Sequence, residues 1–213
     1  MYDNQRKPKK IKPSYGFYKF AFVVCRILLG IVFRIRVTGR ENIPEGATLV
    51  CANHSSYIDP VLVAFALGKA TNIRAVARSE LFSIPVLSTV IKKLGAISVR
   101  RGASDVDFLK GVMTCLKNND KVVIFPEGTR IAHDDTAAAK DGAIRIAERA
   151  GIPLLPLSIP RRKLIFHRIN LVIGKPIHVN KTDHKRSKEE YSILSKKLME
   201  DINNLSFTKG SQI

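Results

Sequence analysis

From residue 34 onward, short apolar runs alternate with segments of helical periodicity, and this alternation constrains the fold more than any other feature. Short runs rich in apolar and β-branched residues are typical of strands. They predict strands at Ile35–Thr38, Thr48–Ala52, Ile73–Ala77, Ala96–Val99, Val122–Phe125, Leu154–Ile159 and Asn170–Ile173. Helical periodicity predicts helices at Pro60–Leu67, Val86–Leu94, Val106–Asn118, Ala137–Ala150 and Lys188–Leu205.

The predicted fold is a single α/β domain with a largely parallel or mixed β-sheet of about seven strands. Helices are expected to cover both faces of the sheet, because buried parallel strands read as nearly continuous apolar runs. With 213 residues and 45% hydrophobic composition, the chain is long and apolar enough for one such core. Residues 34–207 are expected to form this domain, after a basic arm and helix at 1–33 and before a tail at 208–213.

The most apolar stretch, residues 14–36, follows a basic run at residues 1–13. A secretory signal is disfavoured because no small-residue cleavage site follows, and a spanning helix because Arg26 interrupts the apolar stretch. Single-pass insertion nevertheless stays open. Lys19 and Arg26 share one helical stripe, which favours an amphipathic helix lying on the cytoplasmic face of the cell membrane. The alternative is a helix that packs on the domain's own core.

The charge of the chain predicts an anionic partner. Lys and Arg number 36 against 18 Asp and Glu, so the formal net charge is +18. Nucleic acid, an anionic membrane surface and a phosphorylated substrate all fit this excess. No nucleic-acid motif accompanies the charge and Trp is absent, so nucleic acid is not expected.

The three cysteines lack paired Cys or His spacing, so a zinc site is not expected either.

A candidate catalytic pair lies just after the strand Thr48–Ala52. His54 follows the strand, and Asp59 precedes Pro60 at the start of a predicted helix. On a continuous helix the two residues would lie about 140° apart, whereas a strand–turn–helix can bring them together. Asp59 is then expected to cap the helix and to orient the imidazole, leaving the other ring nitrogen as a general base. No Gly-x-Ser-x-Gly motif is present, so the nucleophile is expected to be a substrate hydroxyl.

Cations and a glycine turn follow other predicted strands. Arg78 and Arg101 each follow a strand, and the strand Val122–Phe125 leads into Pro-Glu-Gly-Thr-Arg at residues 126–130. Gly128 allows close backbone approach, while the Thr129 hydroxyl and the Arg130 guanidinium suit phosphate oxygens. Because the carboxyl ends of parallel strands share one edge, these groups are expected to line one crevice with His54. The runs at residues 161–163 and 181–188 are typical of solvated faces, with contact to anionic lipid or to an acidic carrier protein as the alternative.

These segments resemble the motifs of the glycerolipid acyltransferase family, most closely its 1-acyl-sn-glycerol-3-phosphate acyltransferases. His54 and Asp59 meet the family's His-x-x-x-x-Asp pattern, and Phe125–Arg130 meets its Phe-Pro-Glu-Gly-Thr-Arg block without change. Residues 95–101 meet its Gly-rich strand motif ending in Arg. Arg100 stands where the family often carries Asp, and Arg78 where it usually carries Lys.

The resemblance implies transfer of a fatty acyl group from a thioester donor, acyl-CoA or acyl-carrier protein, to the sn-2 hydroxyl of lysophosphatidic acid. The product would be phosphatidic acid. It implies that His54 is the general base and Asp59 its orienting partner, with no metal and no cofactor. Acceptor binding is implied for Arg78, Arg101, Glu127, Gly128, Thr129 and Arg130, with Lys140 a further candidate.

Two alternatives stay open from the sequence. Within the enzyme class, the acceptor could be another lysophospholipid or glycerol-3-phosphate, because the motifs do not fix the shape of the acceptor pocket. In a different class, the chain could be a non-catalytic basic module that binds a membrane or nucleic acid, which the charge of +18 supports.

Overall fold

The computed structural model describes residues 15–68, 72–83, 88, 91–92, 96–99, 105–131 and 139–207. The predicted basic arm, Arg101 and the predicted tail at 208–213 lie outside these ranges. The helices are α1 (Tyr15–Val32), α2 (Asp59–Leu67), α3 (Asp105–Lys117), α4 (Gly142–Ala150) and α5 (Lys188–Phe207). The strands are β1 (Arg34–Thr38), β2 (Thr48–Ala52), β3 (Ile73–Arg78), β4 (Ile97–Val99), β5 (Lys121–Ile124), β6 (Leu154–Ser158) and β7 (Arg168–Ile173).

In the described part of the chain, seven strands form one sheet in the order β1-β7-β6-β2-β5-β3-β4. The strand pairs are parallel except β6 with β7, which is antiparallel. A parallel partner needs a crossover of a dozen or more residues, and the chain between β6 and β7 is shorter than that. The prediction of an α/β domain on one largely parallel sheet is confirmed.

The central strand β2 is buried along its whole length, and its side chains alternate between two apolar clusters. Val50 and Ala52 pack in a cluster with residues of α1 and α2. Leu49 and Cys51 pack in a second cluster with residues of α3, α4 and α5. Since successive side chains of a strand point to opposite faces, helices cover both faces of the sheet, as predicted.

Helix α1 has one face in the core and one face outside it. Leu29 of α1 and Phe33, the residue directly after the helix, are buried in the cluster that includes α2. Large apolar side chains on the other face of α1 are exposed, among them Phe20, Ile27 and Ile31. Within the described residues, none of the helices is long and apolar enough to cross a bilayer. The division of the chain at residue 33 stays a prediction.

The predicted start of the helix Ala137–Ala150 is wrong, because the helix begins at Gly142. Residues 139 and 140 are irregular instead: the Lys140 N–H donates to the Pro126 carbonyl at 2.9 Å. Although the residues before Gly142 have a helical pattern, the contact of Lys140 with the turn after β5 holds residues 139 and 140 in a non-helical conformation. The helix ends as predicted, with Gly151 in the left-handed region at φ 65°. Of the predicted helix Val86–Leu94, residues 88, 91 and 92 are described and are helical.

Candidate active site

The candidate site lies at the carboxyl edge of three neighbouring strands. Strand β2 sits between β5 and β6 and is parallel to both, so the loops that follow these three strands emerge side by side. The loop after β2 carries His54, the loop after β5 carries Glu127, and the loop after β6 carries Arg161 and Lys163. This is the edge at which an open parallel sheet binds ligands.

Asn53, the buried residue that follows β2, joins two of these loops. Its amide nitrogen donates to the Ile159 carbonyl at 2.6 Å, and its amide oxygen accepts from the Ile159 N–H at 2.8 Å. Both backbone groups of Ile159 are thus paired through one side chain, which fixes the loop after β6 against the loop after β2.

His54 is held by its backbone and by its ring. Its N–H donates to Oε2 of Glu127 at 2.9 Å, and its carbonyl accepts from the Ile131 N–H at 2.8 Å. The imidazole stacks on the Phe125 ring, with centroids 4.1 Å apart. The loop after β5 therefore supports His54 at three points, and the side chain keeps 18% of its surface exposed.

The contact expected between His54 and Asp59 is present. Nδ1 of His54 lies 3.0 Å from Oδ2 of Asp59. A carboxylate at Nδ1 selects the tautomer with the proton on Nδ1 and leaves the Nε2 lone pair available. Among the described residues Nε2 has no hydrogen-bond partner. The pair has the arrangement of a general base and its orienting carboxylate, and the catalytic roles themselves stay a prediction.

The carboxylate of Asp59 is fully buried and points back toward the loop before the helix. Oδ2 accepts from the N–H groups of Ser55 and Ser56 at 2.6 and 2.7 Å, and Oδ1 lies 2.9 Å from the Lys163 ammonium. The expectation that Asp59 caps α2 is wrong: it lies in the first turn, and Ile58 occupies the cap position without a side-chain bond. The Lys163 ammonium and the N–H groups of Ser55 and Ser56, which precede the helix, bind the carboxylate instead.

Burial alone would raise the pKa of Asp59. The hydrogen bonds from His54, Lys163 and Ser56 outweigh that effect and lower the pKa from 3.8 to about 2. The carboxylate is therefore ionised at any pH at which His54 could act as a base.

This lowered pKa predicts a specific loss of stability in acid. A group whose pKa is depressed by folding stabilises the protein fully above its unfolded pKa, and that stabilisation is lost as pH falls through the folded value. Asp59→Asn should therefore remove a pH-dependent contribution of about 2 kcal/mol between pH 5 and pH 2. Denaturant unfolding of both proteins across this range measures it. Asp141→Asn, at a partly exposed carboxylate, is the control, and identical pH slopes for wild type and Asp59→Asn would contradict the assignment.

The run Arg161–Lys163 was expected to be largely solvated, and for two of its three residues this is wrong. The Arg161 guanidinium donates to Oε1 of Glu127 at 2.6 Å, and the Lys163 ammonium donates to the Ser55 hydroxyl at 2.7 Å as well as pairing with Asp59. Their side chains are 16% and 6% exposed. Sequence reasoning missed both residues, although they follow a strand end in the same way as the cations that it selected.

Glu127 is buried, and both of its carboxylate oxygens are taken by internal partners. One accepts from the His54 N–H and the other from Arg161. The side chain thus links all three loops of the site. These contacts support a positioning role, whereas the acceptor contact implied by the resemblance stays a prediction.

The turn after Glu127 presents a glycine, a hydroxyl and two cations. Gly128 has φ 66°, and a Cβ built there would come within 2.7 Å of the Lys140 side chain. The Arg130 guanidinium lies over the Tyr57 ring, 3.5 Å from its centroid. Nη1 of Arg130 is buried and has no hydrogen-bond partner among the described residues. Gly128 and Thr129 are exposed, so this turn offers donors to a ligand at the surface.

Arg78 lies two strands away from β2, the strand that leads into His54. It is the last residue of β3, which pairs with β5 on the side away from β2. Arg101 lies outside the described residues. The structure therefore brings together His54, Asp59 and the 127–130 turn, and leaves Arg78 and Arg101 as predictions.

The Ser55 hydroxyl and the Cys51 thiol, both close to His54 in the sequence, are not free to act as nucleophiles. The Ser55 hydroxyl donates to the Arg161 carbonyl and accepts from Lys163. Cys51 is enclosed within β2, and burial raises the pKa of its thiol to about 12. Both observations agree with the expectation that the nucleophile comes from the substrate.

Comparisons with known proteins agree with the motifs. The sequence profile of the family described as Acyltransferase matches residues 34–160. The chain is 29% identical over 194 residues to the 1-acyl-sn-glycerol-3-phosphate acyltransferase of Bacillus subtilis, covering 88% of this chain and 96% of that protein. It is 28% identical over 165 residues to the chloroplastic 1-acyl-sn-glycerol-3-phosphate acyltransferase LPAT1 of Arabidopsis thaliana, of which it spans only 46%.

A solved structure is similar as well. The crystal structure of the 1-acyl-sn-glycerophosphate acyltransferase PlsC from Thermotoga maritima aligns with a TM-score of 0.66 and 28% identity. The alignment covers 96% of this chain and 80% of that one. The chain belongs to the acyltransferase family and is an enzyme of that class, which confirms the resemblance drawn from the motifs.

Proposed function

We propose that this enzyme transfers a fatty acyl group from a thioester donor, acyl-CoA or acyl-carrier protein, to the sn-2 hydroxyl of 1-acylglycerol-3-phosphate. The products are phosphatidic acid and the free thiol of the carrier. The observation that carries the proposal is the joint placement of an Asp59-oriented imidazole and a partly unsatisfied Arg130 guanidinium, both tied to the loop after β5. The printed names of the similar proteins support the choice of acceptor.

His54 performs both proton transfers in this scheme. Nε2 takes the proton of the acceptor hydroxyl as its oxygen attacks the thioester carbonyl carbon. Asp59, held ionised by Lys163 and two backbone N–H groups, stabilises the imidazolium that results. When the tetrahedral intermediate collapses, the carbon–sulfur bond breaks and the imidazolium returns the proton to the leaving thiolate. No cofactor or metal is required, since the thioester is already activated.

The acceptor phosphate is assigned to the turn after β5. The guanidinium of the half-buried Arg130, the exposed Thr129 hydroxyl and the Lys140 ammonium beside Gly128 supply donors for phosphate oxygens. Arg78 and Arg101 are further candidates. The Tyr57 ring beneath Arg130 limits the directions that the guanidinium can take.

We also propose that α1 lies on the cytoplasmic face of the cell membrane. Its outer face exposes Phe20, Ile27 and Ile31 to 66%, 58% and 66%. An exposed apolar stripe of this kind is unfavourable in water and suits the interfacial region of a bilayer. A membrane-associated enzyme can take a lipid acceptor directly from the bilayer.

The function is tested with the purified full chain in detergent. Labelled acyl groups on both carriers are offered with lysophosphatidic acid, other lysophospholipids and glycerol-3-phosphate. Phosphatidic acid formed fastest from lysophosphatidic acid is the expected result. Faster acylation of another acceptor would replace the proposed substrate, and no transfer to any acceptor would overturn the catalytic proposal in favour of a binding module.

Arg130→Ala is expected to weaken use of the phosphorylated acceptor. Loss of one charge-assisted contact should lower kcat/KM for lysophosphatidic acid by about 10- to 100-fold, chiefly through KM. Steady-state kinetics with the acceptor varied at saturating donor measures this. The control is Arg149→Ala, an exposed cation on α4. Equal kcat/KM for Arg130→Ala and wild type would show that the phosphate binds elsewhere.

A further inference from the structure

The exposed apolar side chains of this protein are concentrated in two segments. Of the eleven large apolar side chains that are exposed among the described residues, eight lie on α1 or in the loop between β6 and β7. The α1 residues are Phe20, Val23, Val24, Ile27 and Ile31, and the loop residues are Leu164, Ile165 and Phe166. Such a concentration on one part of a surface marks an interaction site.

The two segments meet. The Phe166 N–H donates to the Val32 carbonyl at 2.8 Å, and the Arg34 N–H donates to the His167 carbonyl at 3.2 Å. The loop is therefore bound to the carboxyl end of α1, next to the exposed side chain of Ile31. We call the eight side chains together the apolar surface.

The loop holds its apolar tip outward at a cost to the folded chain. Phe166 is 73% exposed and has φ 63°, a left-handed conformation that is unfavourable for a bulky side chain. Leu164 and Ile165 are 43% and 61% exposed. Nothing in the described part of the chain covers these side chains, so the conformation gains little within the monomer.

The charges around the apolar surface are positive and favour contact with an anionic surface. Residues 15–40 contain Lys or Arg at five positions and no Asp or Glu, and residues 161–168 contain them at four positions and no Asp or Glu. Arg34 and Arg168 are register partners in β1 and β7, so two guanidinium groups occupy neighbouring positions beside the loop. Glu127 and Asp59 neutralise Arg161 and Lys163, whereas Arg34, Arg162 and Arg168 are exposed. Apolar side chains flanked by exposed cations match a bilayer that contains anionic lipid.

We propose that Leu164–Phe166 inserts into the membrane as a second contact beside α1. This inference rests on the membrane association proposed above for α1, and it extends that contact to a loop that leads directly into the site. Lys163, the residue before Leu164, pairs with Asp59, and Arg161 pairs with Glu127. Membrane contact at the loop therefore places the His54 site at the lipid surface, where the lysophospholipid acceptor resides.

The test compares binding of full-length variants to vesicles of phosphatidylcholine with and without phosphatidylglycerol. Leu164→Ser, Ile165→Ser and Phe166→Ser, combined in one variant, should weaken binding to the anionic vesicles by about tenfold or more. The matched control is Ile193→Ser on α5, since Ile193 is 65% exposed and lies outside the apolar surface. It should bind as wild type does.

A second variant separates the loop from the helix. Phe20→Ser, Ile27→Ser and Ile31→Ser, combined, should also release the protein if α1 is a membrane contact. Release by the helix variant but not by the loop variant would overturn the inference and leave the proposal for α1 standing. A loop variant that binds vesicles normally but changes from dimer to monomer in sedimentation would assign this surface to a second copy of the chain.

Activity on a short-chain, water-soluble lysophosphatidic acid keeps the loop inference distinct from the proposed function. The loop variant should retain wild-type turnover of the soluble acceptor and lose turnover of acceptor presented in vesicles. Loss of both activities together with normal vesicle binding would show that the loop serves the site and not the membrane. Wild type that binds no vesicles would overturn the inference outright, whatever its activity.

Discussion

His54→Ala is expected to lower turnover by a factor of about 10² to 10⁴, the range that a positioned general base contributes. The imidazole is oriented by Asp59 at 3.0 Å and stacked on Phe125, so its Nε2 is held in one position. The loss should appear in kcat and kcat/KM alike, because the base acts in the transition state. Single-turnover acyl transfer measures it directly.

The control for this substitution is His178→Ala, at an exposed histidine outside the site. It should leave turnover unchanged. His54→Ala should keep the fold, since the backbone contacts of His54 with Glu127 and Ile131 do not need the side chain, and should lose only the stability that the ring contributes through Asp59 and Phe125. A His54→Ala enzyme with more than a tenth of wild-type turnover would refute the assignment of the base.

Glu127→Ala is expected to destabilise the fold and the site together. It removes the acceptors for the His54 N–H and for a guanidinium that is only 16% exposed. Leaving a buried charge without its partner typically costs about 3–5 kcal/mol. The free energy of unfolding should fall by an amount in that range, and turnover should fall further because His54 loses one of its supports.

The matched control is Asp141→Ala, which breaks the pair between Asp141 and Arg145. Both side chains of that pair are about two-fifths exposed, at 39% and 43%. An exposed pair four residues apart along the helix contributes roughly 0.3–0.5 kcal/mol, so the loss should be small. Glu127→Gln should recover part of the stability, because its amide oxygen can still accept one hydrogen bond. Equal destabilisation by Glu127→Ala and Asp141→Ala would contradict the positioning role.

The fold could be predicted from the sequence because the patterns that indicate its strands and helix ends involve residues close together in the chain. Buried strands such as β2 and β5 appear as continuous apolar runs, and the Gly151 signal marks the end of α4. The contact between His54 and Asp59 could also be predicted, since only four residues separate them. The start of α4 could not be predicted in this way, because the Lys140 N–H donates to the carbonyl of Pro126, which is distant in sequence.

The contacts of Arg161 and Lys163 could not be read in the same way. A cationic run after a strand is ordinarily solvated, and its pairing depends on which strand lies beside β2 in the sheet. That neighbour is β6, a fact of sheet order that no local pattern encodes. The cap expected at Asp59 failed for a related reason, since Lys163 and the backbone of Ser55 and Ser56 occupy its carboxylate.

The pairing of these two cations has a consequence for how the crevice meets an incoming anion. Arg161 neutralises Glu127 and Lys163 neutralises Asp59, so neither carboxylate repels a ligand. Among the described residues this leaves Arg130 and Lys140 without a carboxylate partner. In the proposed acceptor site the two cations would balance a phosphate monoester, which approaches two negative charges at neutral pH. A headgroup esterified at both ends carries a single phosphate charge and would leave one of these cations uncompensated.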